Sequence, residues 1–151
     1  MPDDELVDTT YADHDGGEEY KRLLETAEAT KTCPFCHLPP ENKVICRGDA
    51  WLLMECRWPY ENSDGHLIIL PYRHIVDDDD ISPEDWVEIQ RLKRVAKEKY
   101  PTVKIGGGLV LRFGTNSGVT VRHLHFHLIA AITNPATGKV FPGKHVNFPI
   151  G

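Results

Sequence analysis

The 151-residue sequence has no apolar run near the ~20 residues needed to cross a bilayer as a helix. It opens Met1-Pro2-Asp3-Asp4-Glu5, acidic where a secretory leader is basic and then apolar. These two absences set the expectation of a cytoplasmic chain with no membrane partner. An excess of positive charge is missing too: 17 Lys and Arg stand against 23 Asp and Glu, a net of −6. No basic stripe marks a nucleic-acid duplex as a partner. The four cysteines, in a chain expected in a reducing compartment, are read as thiols or metal ligands rather than two disulfides.

What is present is enough for one domain: 40% of residues are hydrophobic and 26% charged, so the chain can bury a core. Its acidity is concentrated at the start. Eight acidic residues precede the first basic one, Lys21, and from there onward 17 basic residues meet 15 acidic ones. Residues 1–16, ending at Gly16, are therefore expected to form an acidic flexible tail, and 17–151 a single domain.

Along that domain, Tyr20, Leu23, Leu24 and Ala27 recur at helical spacing between Glu18 and Lys31. Val44 to Arg47, Trp51 to Cys56 and His66 to Leu70 read as strands, with Glu61 to Gly65 as a polar loop and Pro71 as a stop. Ser82 is a good N-cap, Pro83 suits the first helical turn and Asp85 completes a capping box. The main helix then runs on Trp86, Ile89, Leu92, Ala96 and Tyr100 until Pro101. Gly108 to Thr115 and Leu124 to Ile132 supply two more strands, and the segment from Asn134 reads as loop. The expected fold is α+β: a five-stranded, mostly antiparallel sheet, one main helix and a short N-terminal helix. Asp77 to Asp80 reads as a solvated loop.

The segment richest in chemistry is Arg122-His123-Leu124-His125-Phe126-His127-Leu128-Ile129. On a strand, successive side chains alternate, so three histidines share one face while Leu124, Phe126 and Leu128 face the core. The outer two histidines then lie about 13 Å apart, too far for one ion to collect all three. They must divide into different jobs. Upstream, Cys33-Pro34-Phe35-Cys36 has the two-residue gap that lets two thiolates grip one tetrahedral zinc. A haem-attachment pattern (with His37), a redox pair, two unrelated buried cysteines and a four-cysteine site with Cys46 and Cys56 are the alternatives. Further donors would come from His66, His74 and one of the triplet. Trp51, Met54 and Trp58 are either core or the walls of a base pocket.

His123-Leu124-His125-Phe126-His127-Leu128-Ile129, together with Gly65-His66-Leu67-Ile68-Ile69-Leu70-Pro71-Tyr72-Arg73-His74 and Asn116-Ser117-Gly118, resembles the histidine triad family, over roughly Cys33 to Ile132. The resemblance implies a homodimer and nucleotide hydrolase or transferase chemistry at an α-phosphate, on a nucleotide or dinucleotide such as a dinucleoside polyphosphate or a nucleoside phosphoramidate. Carried over position by position, it makes Cys33, Cys36, His74 and His123 the ligands of a structural zinc and His125 the nucleophile. His127, Asn116, Thr120 and Gly118 then contact phosphate. Val119 stands near where many members carry a Gln, and Cys56 where others hold the ribose with an acidic or amide side chain. A zinc-stabilised nucleotide-binding module without turnover is the alternative that these departures leave open.

Overall fold

The computed structural model describes residues 6–9 and 17–151. Five strands form one antiparallel sheet in the order β1-β2-β3-β5-β4: β1 (Val44–Arg47), β2 (Trp51–Glu55), β3 (Ser63–Pro71), β4 (Gly108–Leu111) and β5 (Phe126–Ala131). Helix α1 spans Gly17–Thr30, α2 spans Pro83–Lys99 and α3 spans Pro101–Ile105, and a small hairpin pairs β6 (Thr133–Asn134) with β7 (Lys139–Val140). The α+β class and the five-stranded sheet agree with the sequence. Asp78–Asp80 is a 3-10 turn capped by Asp77, and Pro101 opens α3 where it ends α2.

Alternation along the strands sorts the apolar residues between two faces. One face carries Leu53, Leu67, Ile69, Leu124, Phe126 and Leu128, buried against Ile89, Leu92 and Ala96 of α2 and Val103 of α3. The other carries Leu52, Met54, Ile68 and Leu70, covered by Phe35 and Leu38 of the cysteine-bearing segment. Helix α2 starts where the capping box places it: Ser82 accepts from the Asp85 amide and Asp85 from the Ser82 amide. Asp85 also accepts from the Trp51 indole at 2.7 Å and pairs with Arg73, tying the helix start to β2 and to the chain after β3. That network holds its carboxyl well below the usual carboxylate range, through Arg73 first and against the opposing effect of burial. Trp51 is fully buried there, a core residue rather than a pocket wall.

Three boundaries differ from expectation for local reasons. Strand β3 begins at Ser63 because Gly65, at φ +117°, lets a bulge form between the Ser63–Ala131 and His66–Ile129 pairs. A Cβ on Gly65 would lie 2.9 Å from Val103 Cγ2. Strand β5 begins at Phe126, not Leu124, because the Leu124 amide donates to the Ile75 carbonyl instead of to a neighbouring strand. Strand β4 ends at Leu111, ahead of the turn that contains Gly114 at φ +75°.

Most of the expected acidic tail, residues 1–5 and 10–16, lies outside the described residues. The four described ones are not free. Val7 bridges Val121, the Asp8 amide donates to the Thr120 carbonyl and the Arg122 amide to the Leu6 carbonyl. Val7 is buried in a small cluster with Leu24, Ala27, Cys33 and Val121. Helix α1 and this strap therefore hold the chain that leads into the three histidines. Among the described residues, no helix is long and apolar enough to cross a membrane.

Candidate active site and metal centre

His123 leaves the strand line and joins the two cysteines. Its Nδ1 lies 3.6 Å from Cys33 Sγ and 3.6 Å from Cys36 Sγ, and His74 Nδ1 is 3.3 Å from Cys36 Sγ. The four donor atoms all fall within 4.8 Å of one another. A tetrahedron with metal–sulfur bonds of about 2.3 Å and metal–nitrogen bonds of about 2.0 Å has S···N edges of about 3.5 Å, so the spacing fits a single zinc-sized ion. The tautomer fits as well. His123 Nε2 lies 2.8 Å from the Pro71 carbonyl, which can only accept, so the ring proton sits on Nε2 and the Nδ1 lone pair points at the thiols. Burial pushes the Cys33 thiol up to about 11, so ionising it there requires a cation beside it. Of the donors considered from sequence, Cys46 and Cys56 lie elsewhere, and His66 serves the opposite end of the site.

His125 is 8% exposed, and its Nδ1 is 2.8 Å from the His123 carbonyl. Nδ1 therefore carries the proton and Nε2 keeps a free lone pair. Burial lowers the His125 pKa to about 4, and the neighbouring His123 and Arg112 charges add to the effect. The ring is thus neutral and unprotonated on Nε2 throughout the physiological range. Phe35 packs edge-on against it with ring centroids 4.9 Å apart.

His127 is fixed through a chain of rings that the strand pattern alone does not reveal. The Tyr60 amide donates to His66 Nδ1 at 3.1 Å, so His66 carries its proton on Nε2. That proton is donated to His127 Nδ1 at 2.8 Å, which leaves the His127 proton on Nε2. This Nε2 is buried and has no partner among the described residues. A buried donor with no acceptor is costly unless a ligand completes it. His125 and His127, with ring centroids 5.0 Å apart, both line a cavity of about 650 Å³ counted to its open mouth. Its walls are largely apolar and aromatic, among them Tyr20, Phe35, Met54, Trp58 and Ile68. Met54 and Trp58 thus line the pocket, and helix α1 supplies a wall that the sequence did not announce.

The remaining expected phosphate contacts are placed differently. Thr120 is buried with its hydroxyl 2.7 Å from that of Tyr20, and Asn116 is exposed. Gly118 lies beneath the end of the chain, where a Cβ would meet the Gly151 carbonyl oxygen at 2.7 Å. Neither Asn116, Gly118 nor Thr120 lines the cavity; Val121 does. Arg112 and Phe148, unremarked in the sequence, also lie outside that lining but stand beside His127.

A five-stranded antiparallel sheet with three alternating histidines leading into one strand, two of them lining an apolar cavity, defines a histidine triad fold. Residues 32–140 match the family described as scavenger mRNA decapping enzyme C-term binding, and the chain belongs to this family within the histidine triad proteins. AP-4-A phosphorylase from two strains of Mycobacterium tuberculosis is 26% identical, over 68% of this chain and 55% of the relative. The chain thus spans about half the length of the curated relatives that it matches. Among solved structures, a HIT family hydrolase from Clostridium thermocellum superposes with a TM-score of 0.58 at 23% identity, covering 66% of this chain and 90% of that one. A zinc-bound histidine triad family protein from Mycobacterium smegmatis gives 0.56 at 21% identity, covering 74% and 84%.

Proposed function

We propose that the protein is a nucleotide hydrolase or nucleotidyltransferase that acts at an α-phosphate through a nucleotidyl intermediate on His125. The observation that carries this reading is the pairing of opposite tautomers at the cavity floor. His125 presents a lone pair on Nε2, and His127 presents a proton on Nε2. One can attack phosphorus while the other donates to a non-bridging oxygen. The Nε2–P bond forms as the bond from phosphorus to the leaving group breaks, and that bond's electron pair departs with the leaving group. Water or another acceptor then attacks phosphorus, the N–P electron pair returns to Nε2, and the acceptor's proton passes to solvent or to the leaving group. The AP-4-A phosphorylase relatives support a dinucleoside polyphosphate as substrate, and a nucleoside phosphoramidate suits the same attack.

Zinc fits the four donors of Cys33, Cys36, His74 and His123, and a fully ligated tetrahedral ion would serve structure rather than substrate. It would tie the cysteine turn to the chain that carries His125. The free edge of β4, with Leu109 exposed and with exposed Ile105 and Val140 lining a groove beside Gly108 and Val110, supports assembly as a homodimer. A cytoplasmic location agrees with thiols held as metal ligands.

Intact-mass measurement after incubation with a substrate panel, quenched without acid, tests the chemistry. A single nucleotidyl adduct is expected, absent from His125→Ala. A second reading, a nucleotide-binding module without turnover, is favoured by the engagement of Thr120 with Tyr20 and the exposure of Asn116. Tight binding with neither adduct nor product would decide for it.

A further inference from the structure

Arg112 is 7% exposed, yet no carboxylate pairs with it among the described residues; the ion pairs there belong to Arg22, Lys43, Arg57, Arg73 and Arg91. A buried guanidinium without a counter-charge is costly. Its Nε donates to the Pro149 carbonyl at 2.8 Å, its Nη2 donates to the Tyr60 hydroxyl at 3.2 Å, and its face lies 4.1 Å from the Phe148 ring centre. A guanidinium has about five N–H donors, so most of them have no acceptor among the described residues.

The sheet register says where this charge stands. Leu111 pairs with Phe126 and Val110 with His127 across β4 and β5. Arg112 follows Leu111 directly at the end of β4, next to the start of β5 that His125 precedes, and its charge acts on His66, His125 and His127. Tyr60, which accepts from Arg112, stacks on His127 with centroids 5.8 Å apart and lines the same cavity. The buried, unpartnered His127 Nε2 marks the neighbouring spot as built for an anion.

We infer that Arg112 binds the phosphate chain beyond the phosphorus that His125 attacks, and so selects substrates whose leaving group is itself a phosphate. The inference rests on the nucleotidyl-transfer reading above. Breaking the P–O bond leaves its electron pair on the former bridging oxygen and adds one negative charge to the departing phosphate. Arg112 offsets that charge, and needs no proton transfer to do so. An amine leaving group, as in a phosphoramidate, departs with a proton and gains no such charge, so Arg112 gives it little.

Two measurements on the zinc-loaded full chain test this. By calorimetry, the non-hydrolysable α,β-methylene analogue of ADP should bind at least about tenfold more tightly than AMP. Arg112→Gln should abolish that increment while leaving AMP affinity within about threefold, and Arg112→Lys should keep part of it. In single-turnover kinetics, Arg112→Gln should slow cleavage of a dinucleoside polyphosphate about 100-fold more than cleavage of a nucleoside phosphoramidate. Equal affinity of the wild type for the two nucleotides, or equal losses on both ligands or both substrates, would overturn the assignment. It would leave Arg112 as a staple for residues 148–149. The calorimetry reads Arg112 without turnover, so a wild type that forms no adduct counts against the nucleotidyl-transfer reading and not against this one. If Arg112→Gln does not fold, the Arg112→Lys increment decides.

Discussion

The two outer histidines of the triplet begin as equivalent positions on one strand pattern and end with opposite chemistry. His123 donates its Nε2 proton to the Pro71 carbonyl and turns a bare Nδ1 toward two sulfurs. His127 accepts a hydrogen bond from His66 on Nδ1 and turns an N–H toward the cavity. On the proposed reading, one ring is prepared for a cation and the other for an anion. The choice is made in each case by what binds the far nitrogen, a backbone carbonyl or a second imidazole. His125 sits between them and also donates to a backbone carbonyl, but from Nδ1 rather than Nε2, so that its Nε2 lone pair faces the cavity rather than sulfur. Identical side chains therefore acquire three roles from their partners, which is why the spacing rule alone could say that the roles differ but not how.

The largest expected break in the comparison removes its centre. His125→Ala should lower turnover by more than about 10³-fold, because among the described residues no other free imidazole lone pair faces the cavity, while bound metal and melting temperature stay as in wild type. A rate loss below about tenfold would move the nucleophile to another group. Next comes the cation end. Cys36→Ser should lose the metal and about 3 kcal/mol of stability, a fall of about 6–12 °C in melting temperature for a domain of this size. Turnover per folded molecule should fall far less than in His125→Ala. A rate loss above about 100-fold at an unchanged melting temperature would give the metal a place in the chemistry instead.

How much of this division was legible in the sequence depends on whether one strand or two were needed to see it. The Ser82–Asp85 capping box placed the start of α2, and alternation put Leu124, Phe126 and Leu128 into the core. The Cys33/Cys36 gap, with His74 and His123 supplied by the family resemblance, named four residues whose donor atoms lie within 4.8 Å of one another. The partnership of His66 with His127 was not legible, because it needs the Gly65 bulge and the β3–β5 register together. Arg112 was not legible for the same reason: its significance lies in standing at the end of β4, next to the start of β5 that His125 precedes. The resemblance pointed to Thr120 and Asn116, but the short loop before the triplet docks on α1, the Leu6–Thr9 strap and the chain end, which engages Thr120 and leaves Asn116 exposed.

The anion end can be weakened without removing it. His66→Gln should cost about 10- to 100-fold in turnover, because His127 then loses the partner that fixes its proton on Nε2. Metal content should not change. The same substitution has a signature in pH. Burial lowers the His66 pKa to about 4, with the His125 and Arg112 charges adding to it. The unfolded chain takes up a proton near pH 6.5, whereas the folded chain resists until about pH 4, so the unfolded state binds more protons across that window. Stability should therefore rise with pH between about 4 and 6.5, and His66→Gln should flatten the rise. An unchanged slope would mean that the other buried histidines carry all of it.

The smallest effect should come from Phe35, the side chain that touches both the cation end and the central His125. It lies between the two cysteines in sequence, sits edge-on to His123 at 6.0 Å and to His125 at 4.9 Å, and forms part of the cavity wall. Phe35→Leu keeps the apolar volume but loses the edge-on ring contact, worth about 1 kcal/mol. If the metal centre positions the cavity wall through this ring, KM should rise about three- to fivefold with kcat, metal content and melting temperature nearly unchanged. A fall in kcat at constant KM would instead show that Phe35 holds the His125 ring in its line of attack. The cation end would then reach the reacting phosphorus through one aromatic contact, and the two ends of the triplet would be coupled in rate rather than only in stability.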